Sequence, residues 1–484
     1  MKKILLYLSF FPCLLFGQPS LFLTDPIPVS EAGTGYRAPR IALLEGNRPV
    51  VYWGKTGSNP VLYLAIWEGG NFGAPIAINT NGIPLDLWGG GLGPQIVAQG
   101  SIIYVVFESY GEGIYCMKSA DGGQTFEDPV SVYDAPQGRV ATLPSVAISP
   151  SGNPIVSFIT TDFSEQNAQY EMTRSLDGGI TFEPTTVANT AAAGAEVCEC
   201  CPASIGIVTE DEMYLGFRNN DENIRDIWVA KTTDGGANFS QATDVDDTDW
   251  LTQVCPQSGP DMLVSGDSIF LVLFSGAEGS NVYFSSLNKE TMAAGNQFQI
   301  PPFNGGNQNQ NFPAIAGNGD TLGIIWQEAV TGSWDIMMAW SANGSGDLLN
   351  NYMVIDDDLL SQKQVDMAYQ EGQFHIVYED QKTSRVNYRI ASFEEIVGTL
   401  EAGHSELLAN VSPNPFSEKT VVSFENEGFE ITTCTLFNTN GQQMEIFQTS
   451  GNTLEIEGSD LGKGVYFLKI QKGEYLVVKR LVVE

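Results

Sequence analysis

Ser119-Ala120-Asp121-Gly122-Gly123-Gln124-Thr125-Phe126 returns as Ser175-Leu176-Asp177-Gly178-Gly179-Ile180-Thr181-Phe182, and with drift as Thr232-Thr233-Asp234-Gly235-Gly236-Ala237-Asn238-Phe239. A recurrence every ~56 residues marks an array of supersecondary units. Each octet carries the chemistry of a hairpin turn. Its glycines permit positive φ, its Asp and Ser/Thr oxygens can accept nearby backbone N–H groups, and its terminal Phe can plug the turn.

Other marks keep the same phase. Pro39, Pro94, Pro144, Pro202, Pro260 and Pro313 each open a short apolar run, which places each proline at the first residue of a strand, where no ladder N–H is needed. A turn and a second apolar strand follow each run, as at residues 50–53, 103–107, 154–158, 213–217, 269–274 and 322–326, and a seventh unit begins at Val365. Residues 21–30 read like the segment after the first octet, so this N-terminal strand is expected to complete the last unit and hide its sheet edge.

The octets resemble the Asp-box (BNR) repeat of the sialidase-like β-propellers. The resemblance implies an all-β propeller; sialidases proper have six blades, but the seven units counted here read as a seven-bladed β-propeller over residues 20–395, with six blades as the alternative, closed by the N-terminal strand. It places Ser119, Asp121, Gly123, Thr125, Phe126, Ser175, Asp177, Gly179, Thr181, Phe182, Thr232, Asp234, Gly236 and Phe239 in structural turns away from any site.

Both ends of the chain bear on address. A basic start, Met1-Lys2-Lys3, and a short apolar run read as a signal peptide over residues 1–17. Residues 396–407 lose the strand pattern and read as a linker. Residues 408–484, with Pro413-Asn414-Pro415-Phe416, Gly464-Val465-Tyr466-Phe467 and a terminal Lys479-Arg480-Leu481-Val482-Val483, resemble the C-terminal sorting domain of the Bacteroidetes type IX secretion system, here a small β-sandwich. That implies the type IX machinery as partner and a secreted or cell-surface destination. The net charge of −35 disfavours nucleic acid and anionic membranes as partners, and no transmembrane segment is expected.

In a propeller, the loops entering the inner strands and those leaving the second strands form the mouth of the central channel, where ligands bind. This selects Arg37, Arg40, Trp88, Arg139, Arg225 and Trp250 as ligand-binding candidates. Tyr36-Arg37-Ala38-Pro39 is similar to the sialidase motif whose Arg helps clamp a substrate carboxylate, and Arg218 stands where a second clamp residue could lie. The Asp acid that the motif implies has no counterpart in residues 51–55. With Glu328, Tyr378 and Glu379, these arginines are the catalytic candidates for a propeller that recognises or processes an extracellular glycan, exo-sialidase activity being disfavoured. The other readings are a non-catalytic adhesion or interaction propeller, and a Cys-ligated metal or redox site on the same face.

The last reading rests on Cys198-Glu199-Cys200-Cys201-Pro202 and Cys255-Pro256, four cysteines at adjacent strand entries. Export favours disulfides among them, their pairing left open, over a thiolate metal site. Asp244, Asp246, Asp247 and Asp249 are oxygen-rich enough for Ca²⁺, but acidic runs are more often solvated. Cys116 and Cys434 read as buried thiols.

Overall fold

A computed structural model describes residues 21–393 and 409–483, apart from residues 88–92, 110–112, 134–137, 195, 303–308, 330–332, 357–359, 425–431, 439–442 and 473–474. The expected signal peptide, the linker and Trp88 lie outside the described residues. The chain divides into two units, Met1–Val397 and Gly398–Glu484. Both are all-β with antiparallel sheets; the one helical turn among the described residues is a 3-10 turn at Gly458–Asp460.

The described part of the first unit holds seven sheets. Tyr36–Leu44, Arg48–Lys55, Val61–Ile66 and Ile76–Ile78 form sheet one as a meander. Sheets two to six repeat it, their first strands being Gln95–Gln99, Arg139–Ile148, Ser204–Ile207, Asp261–Ser265 and Gln310–Gly317. Sheet seven joins Gln362–Gln370, Gln373–Asp380 and Arg385–Ser392 to both Phe22–Leu23 and Ile27–Pro28. The register pairs Phe22 with Ser392 and Ile27 with Tyr388, so the N-terminal segment lies on the outer edge of the last sheet.

The second strands read as unbroken apolar runs because both of their faces are buried. Side chains alternate along a strand, and each second strand serves a cluster on either side. Tyr52 packs with Leu64 and Ile103 of sheets one and two, while Val51 and Trp53 pack with Val377 and Tyr388 of sheet seven. Five further clusters join two to three, three to four, four to five, five to six and six to seven. Burying each large apolar side chain contributes about 1.5–3 kcal/mol.

The octets close the turns between third and fourth strands. Gly123 N–H donates to Ser119 Oγ at 2.9 Å and Thr125 N–H to Asp121 Oδ1 at 3.0 Å. The equivalent bonds are Gly179 to Ser175 and Thr181 to Asp177, then Gly236 to Thr232 and Asn238 to Asp234. Phe239 is buried, and Phe126 and Phe182 pack partly buried against their clusters.

The prolines depart from expectation. Pro94, Pro202 and Pro260 stand just before their strands, but Pro39, Pro144 and Pro313 lie inside theirs. Each of these three follows a residue with positive φ (Ala38 47°, Leu143 55°, Phe312 51°) at a break in strand register. A bulge frees one backbone position from the ladder, and proline is tolerated there as well as at a strand start.

In the second unit, three-stranded and four-stranded sheets enclose Phe416, Val422, Cys434, Leu436, Ile470 and Leu481. Phe416 N–H donates to Val482 O at 2.9 Å and Val482 N–H to Asn414 Oδ1 at 2.8 Å. The Pro-Asn-Pro-Phe stretch is thus pinned to the terminal strand.

Candidate functional site

The first strands of all seven sheets line a single cavity of about 350 Å³, with Arg40, Gln95, Ser145, Ser204, Asp261, Ala314 and Asp366 on its wall. Side chains knit that wall across sheets. Ile41 N–H donates to Asp366 Oδ2, and Ile315 N–H to Asp261 Oδ2, each at 2.9 Å. Ser204 Oγ donates to Asp261 Oδ1 at 3.1 Å. Burial lifts the Asp261 carboxyl to about 6 and raises Asp366, which Arg40 opposes.

A second row of contacts runs along the ends of the second strands. Trp53, Phe107, Phe158, Phe217, Phe274, Trp326 and Tyr378 occupy equivalent buried positions, and several of the residues that follow them reach the next sheet. Glu108 accepts Leu143 N–H at 3.0 Å, Gln327 accepts Gln364 N–H at 3.2 Å, and Glu379 accepts Ala38 N–H at 3.1 Å. The three donors have positive φ, so their bulges turn an N–H out of its own ladder and toward the neighbouring sheet. Burial raises Glu108 and Glu379 each to about 7, the latter against the opposing pull of Arg37, Lys363 and Arg40.

Arg218 holds the same position in sheet four and is wholly buried. It donates to Ser258 O, Arg225 O and Phe274 O, at 3.1, 2.5 and 2.6 Å, and lies over the Trp250 ring at 5.3 Å. Its guanidinium is consumed by backbone carbonyls, which removes it from any substrate clamp. Tyr378 is buried with its hydroxyl on Asp356 Oδ2 at 2.6 Å, and Glu328 accepts from Gln310 and Trp326 at 3.1 and 2.9 Å. Arg139 is held by Thr160 O and Asn167 O, and Trp250 packs edge-on against Phe274. These five are engaged in holding the fold.

Arg37 and Glu379 do come together. A rim pocket of about 370 Å³ between sheets one and seven is lined by Arg37, Lys363, Arg385, Glu379, Asp380 and the segment Gly33 to Tyr36. Asp380 is occupied by Lys382 N–H, Thr383 and Asn387 at 2.8, 2.7 and 2.9 Å. Arg37, Lys363 and Arg385 thus share this pocket with the carboxyls of Glu379 and Asp380, in a chain of net charge −35. Lys363 carries no motif and was not singled out by sequence. Glu108 was also missed, although aligning the seven aromatic positions would have exposed it.

The cysteines gather where sheets four and five begin. Cys200 and Cys255 form a disulfide, and Cys198 and Cys201 are buried thiols. Cys198 Sγ lies 3.6 Å from Cys200 Sγ and 3.5 Å from Cys201 Sγ. Arg225 Nη1 donates to Cys198 Sγ at 3.0 Å and pairs with Glu199 at 3.3 Å, so Arg225 faces the thiol. The Cys201 hydrogen bond, then Arg218 and Arg225, lower the Cys198 pKa, whereas burial drives Cys201 up. Cys198, Cys200 and Cys201 are the only group of three metal-ligating side chains close enough to share an ion among the described residues. With Cys200 in the disulfide, two thiols remain, short of the four protein ligands of a structural zinc site. The aspartates do not converge in that way: Asp244 accepts Asp246 N–H and Asp246 accepts Thr248 N–H, while Asp247 and Asp249 are exposed.

Residues 410–484 match the family model of the secretion system C-terminal sorting domain. No curated protein matches the chain. Among solved structures, Trypanosoma rangeli sialidase is similar at 11% identity and TM-score 0.45, over 96% of this chain and 89% of that one. A protein of unknown function from Dyadobacter fermentans is similar at 12% identity and TM-score 0.44, over 66% of this chain and 98% of that one. An endo-arabinanase from Bacillus licheniformis has 12% identity and TM-score 0.31, over 64% of this chain and 96% of that one. Likenesses this distant carry no argument about chemistry. No helix among the described residues is long and apolar enough to cross a membrane. Residues 410–484 are a secretion system C-terminal sorting domain, and the chain is cargo of the type IX machinery, bound for the cell surface or the medium.

Proposed function

We propose that residues 20–395 are a closed seven-bladed β-propeller that binds an acidic extracellular glycan at the rim pocket between its first and last blades. Closure is supported by the Glu379–Ala38 contact, which repeats between sheets seven and one the latch that Glu108 and Leu143 make between two and three. The hydrophobic cluster shared by Trp53 and Tyr388 supports it too. The ligand class rests on one observation: Arg37, Lys363 and Arg385 line one pocket of a strongly acidic chain. Guanidinium groups grip carboxylates and sulfates through paired hydrogen bonds. Glu379, held near neutrality, is the group there able to hold or release a proton toward a bound sugar.

The test is a binding and turnover screen of the exported protein against uronate-containing, sulfated, sialylated and neutral glycans. The expected result is salt-sensitive binding of acidic glycans, weakened about tenfold by Arg37→Ala or Arg385→Ala, with no release of sialic acid. Equal binding of neutral glycans, indifferent to both substitutions, would sink the reading.

A further inference from the structure

We infer that Cys198, Cys200, Cys201 and Cys255 form one thiol–disulfide exchange unit, which passes a single disulfide between the partly buried Cys200–Cys255 pair and the buried Cys198–Cys201 pair. The unit is independent of the glycan pocket. Its geometry has three parts. The Cys198 sulfur stands 3.6 Å from one sulfur of the existing disulfide and 3.5 Å from a second free thiol. A guanidinium contacts that sulfur and no other cysteine: Arg225 Nη1 is 3.0 Å from Cys198 Sγ. The disulfide's far half, Cys255, is only partly buried and lies in a loop whose Leu251 and Val254 are each 71% exposed.

The exchange balances without any outside reagent. The Cys198 thiolate attacks Cys200 Sγ, the Cys198–Cys200 bond forms, the Cys200–Cys255 bond breaks, and Cys255 leaves as a thiolate that takes a proton from solvent. Cys201 then gives up its proton and attacks Cys198 Sγ, and Cys200 leaves as a thiolate. One disulfide and two thiols stand on each side of the equation. The thiolate is the attacking species in such reactions, and a cation against the sulfur favours it. The product is a dithiol, Cys200 and Cys255, at the partly exposed position. It can reduce an external disulfide, becoming oxidised again while two external thiols are released.

The exported protein is incubated with N-ethylmaleimide and no reductant, and labelled positions are mapped by mass spectrometry. Expected is time-dependent labelling of Cys255, while Cys116 and Cys434, both buried, stay unlabelled. Cys198→Ser abolishes Cys255 labelling. Cys201→Ser keeps it and accumulates the Cys198–Cys200 disulfide. Around Cys198 stand Arg225, Arg218, Cys201, Glu199, and Tyr170 through its bond to Cys201 O. Arg225→Gln removes the contacting cation, so labelling slows about tenfold at pH 7 and recovers at pH 9; this variant keeps the test open if Cys198→Ser does not fold. Labelling equal in the wild type and Cys198→Ser would overturn the inference. So would isolation of the protein with both pairs closed and inert to a small dithiol.

Discussion

Arg218 shows how one position can hold a charge inside a sheet stack. An unpaired buried cation would be prohibitive, but three carbonyls and the Trp250 face surround this one. Replacing it by methionine keeps much of the volume and strips the donors from Ser258 O, Arg225 O and Phe274 O. We expect Arg218→Met to lower unfolding free energy by about 3 kcal/mol in denaturant titrations, against a near-neutral Arg37→Met at the half-buried rim. Glu379 behaves differently from Arg218 because its neighbour Gln327 does the same latching work with a neutral amide. Glu379→Gln should therefore preserve the fold and separate proton chemistry from architecture, with Glu379→Ala removing the proton site and one of the two acceptors of Ala38 N–H, Gln364 being the other.

At the scale of the element, the octet turn is stabilised from inside and from the sheet behind it. Ser175 Oγ accepts Gly179 N–H and donates to Asp177 Oδ1, both at 2.8 Å. Ser175→Ala should cost about 1 kcal/mol in unfolding free energy. Gly179 has φ 88°, and a Cβ there would stand 3.0 Å from Tyr104 of the preceding sheet. Gly179→Ala meets both penalties, so its loss is expected to be larger, about 2 kcal/mol by the same titration. The bulges are the complementary device at the other end of the sheets. They spend a ladder bond within one sheet to present an N–H to the preceding one, as Ala38, Leu143 and Gln364 do.

For the molecule as a whole, two sets of carboxylates set opposite pH slopes. Glu108 and Glu379 sit near 7 in the fold against an ordinary 4.5, so the native state holds more protons than the unfolded chain between those values. Stability must then fall as pH rises from about 4.5 to 7. Asp121 and Asp177, held at about 2 by Thr125 and Thr181, act in the opposite sense: their contribution is present above about 3.8 and is lost as pH falls toward 2. Burial raises Asp226 to about 7 and Asp261 to about 6 in the same sense, so melting temperature should peak at a pH between about 4 and 5, and Glu108→Gln with Glu379→Gln should make the alkaline limb shallower without abolishing it. Export is a property of the second unit. Deleting residues 410–484 should leave the protein in the periplasmic fraction, with none in the medium or on the surface.

The repeat, the sheet-forming runs, the turn chemistry and the sorting segment were legible in the sequence because each depends on residues a few positions apart. A Ser-x-Asp-Gly-Gly turn closes on itself, and an apolar run declares its own burial. The sites were not legible in this way. Ala38 N–H finds Gln364 and Glu379 across more than three hundred residues, and Arg218 meets Ser258 forty residues on. Arg37 and Arg218 belong to one clamp by resemblance, yet the structure leaves one at a rim pocket and buries the other among carbonyls. Packing between sheets decides which polar group remains open to a ligand, and that choice is made by neighbours which the local sequence does not name.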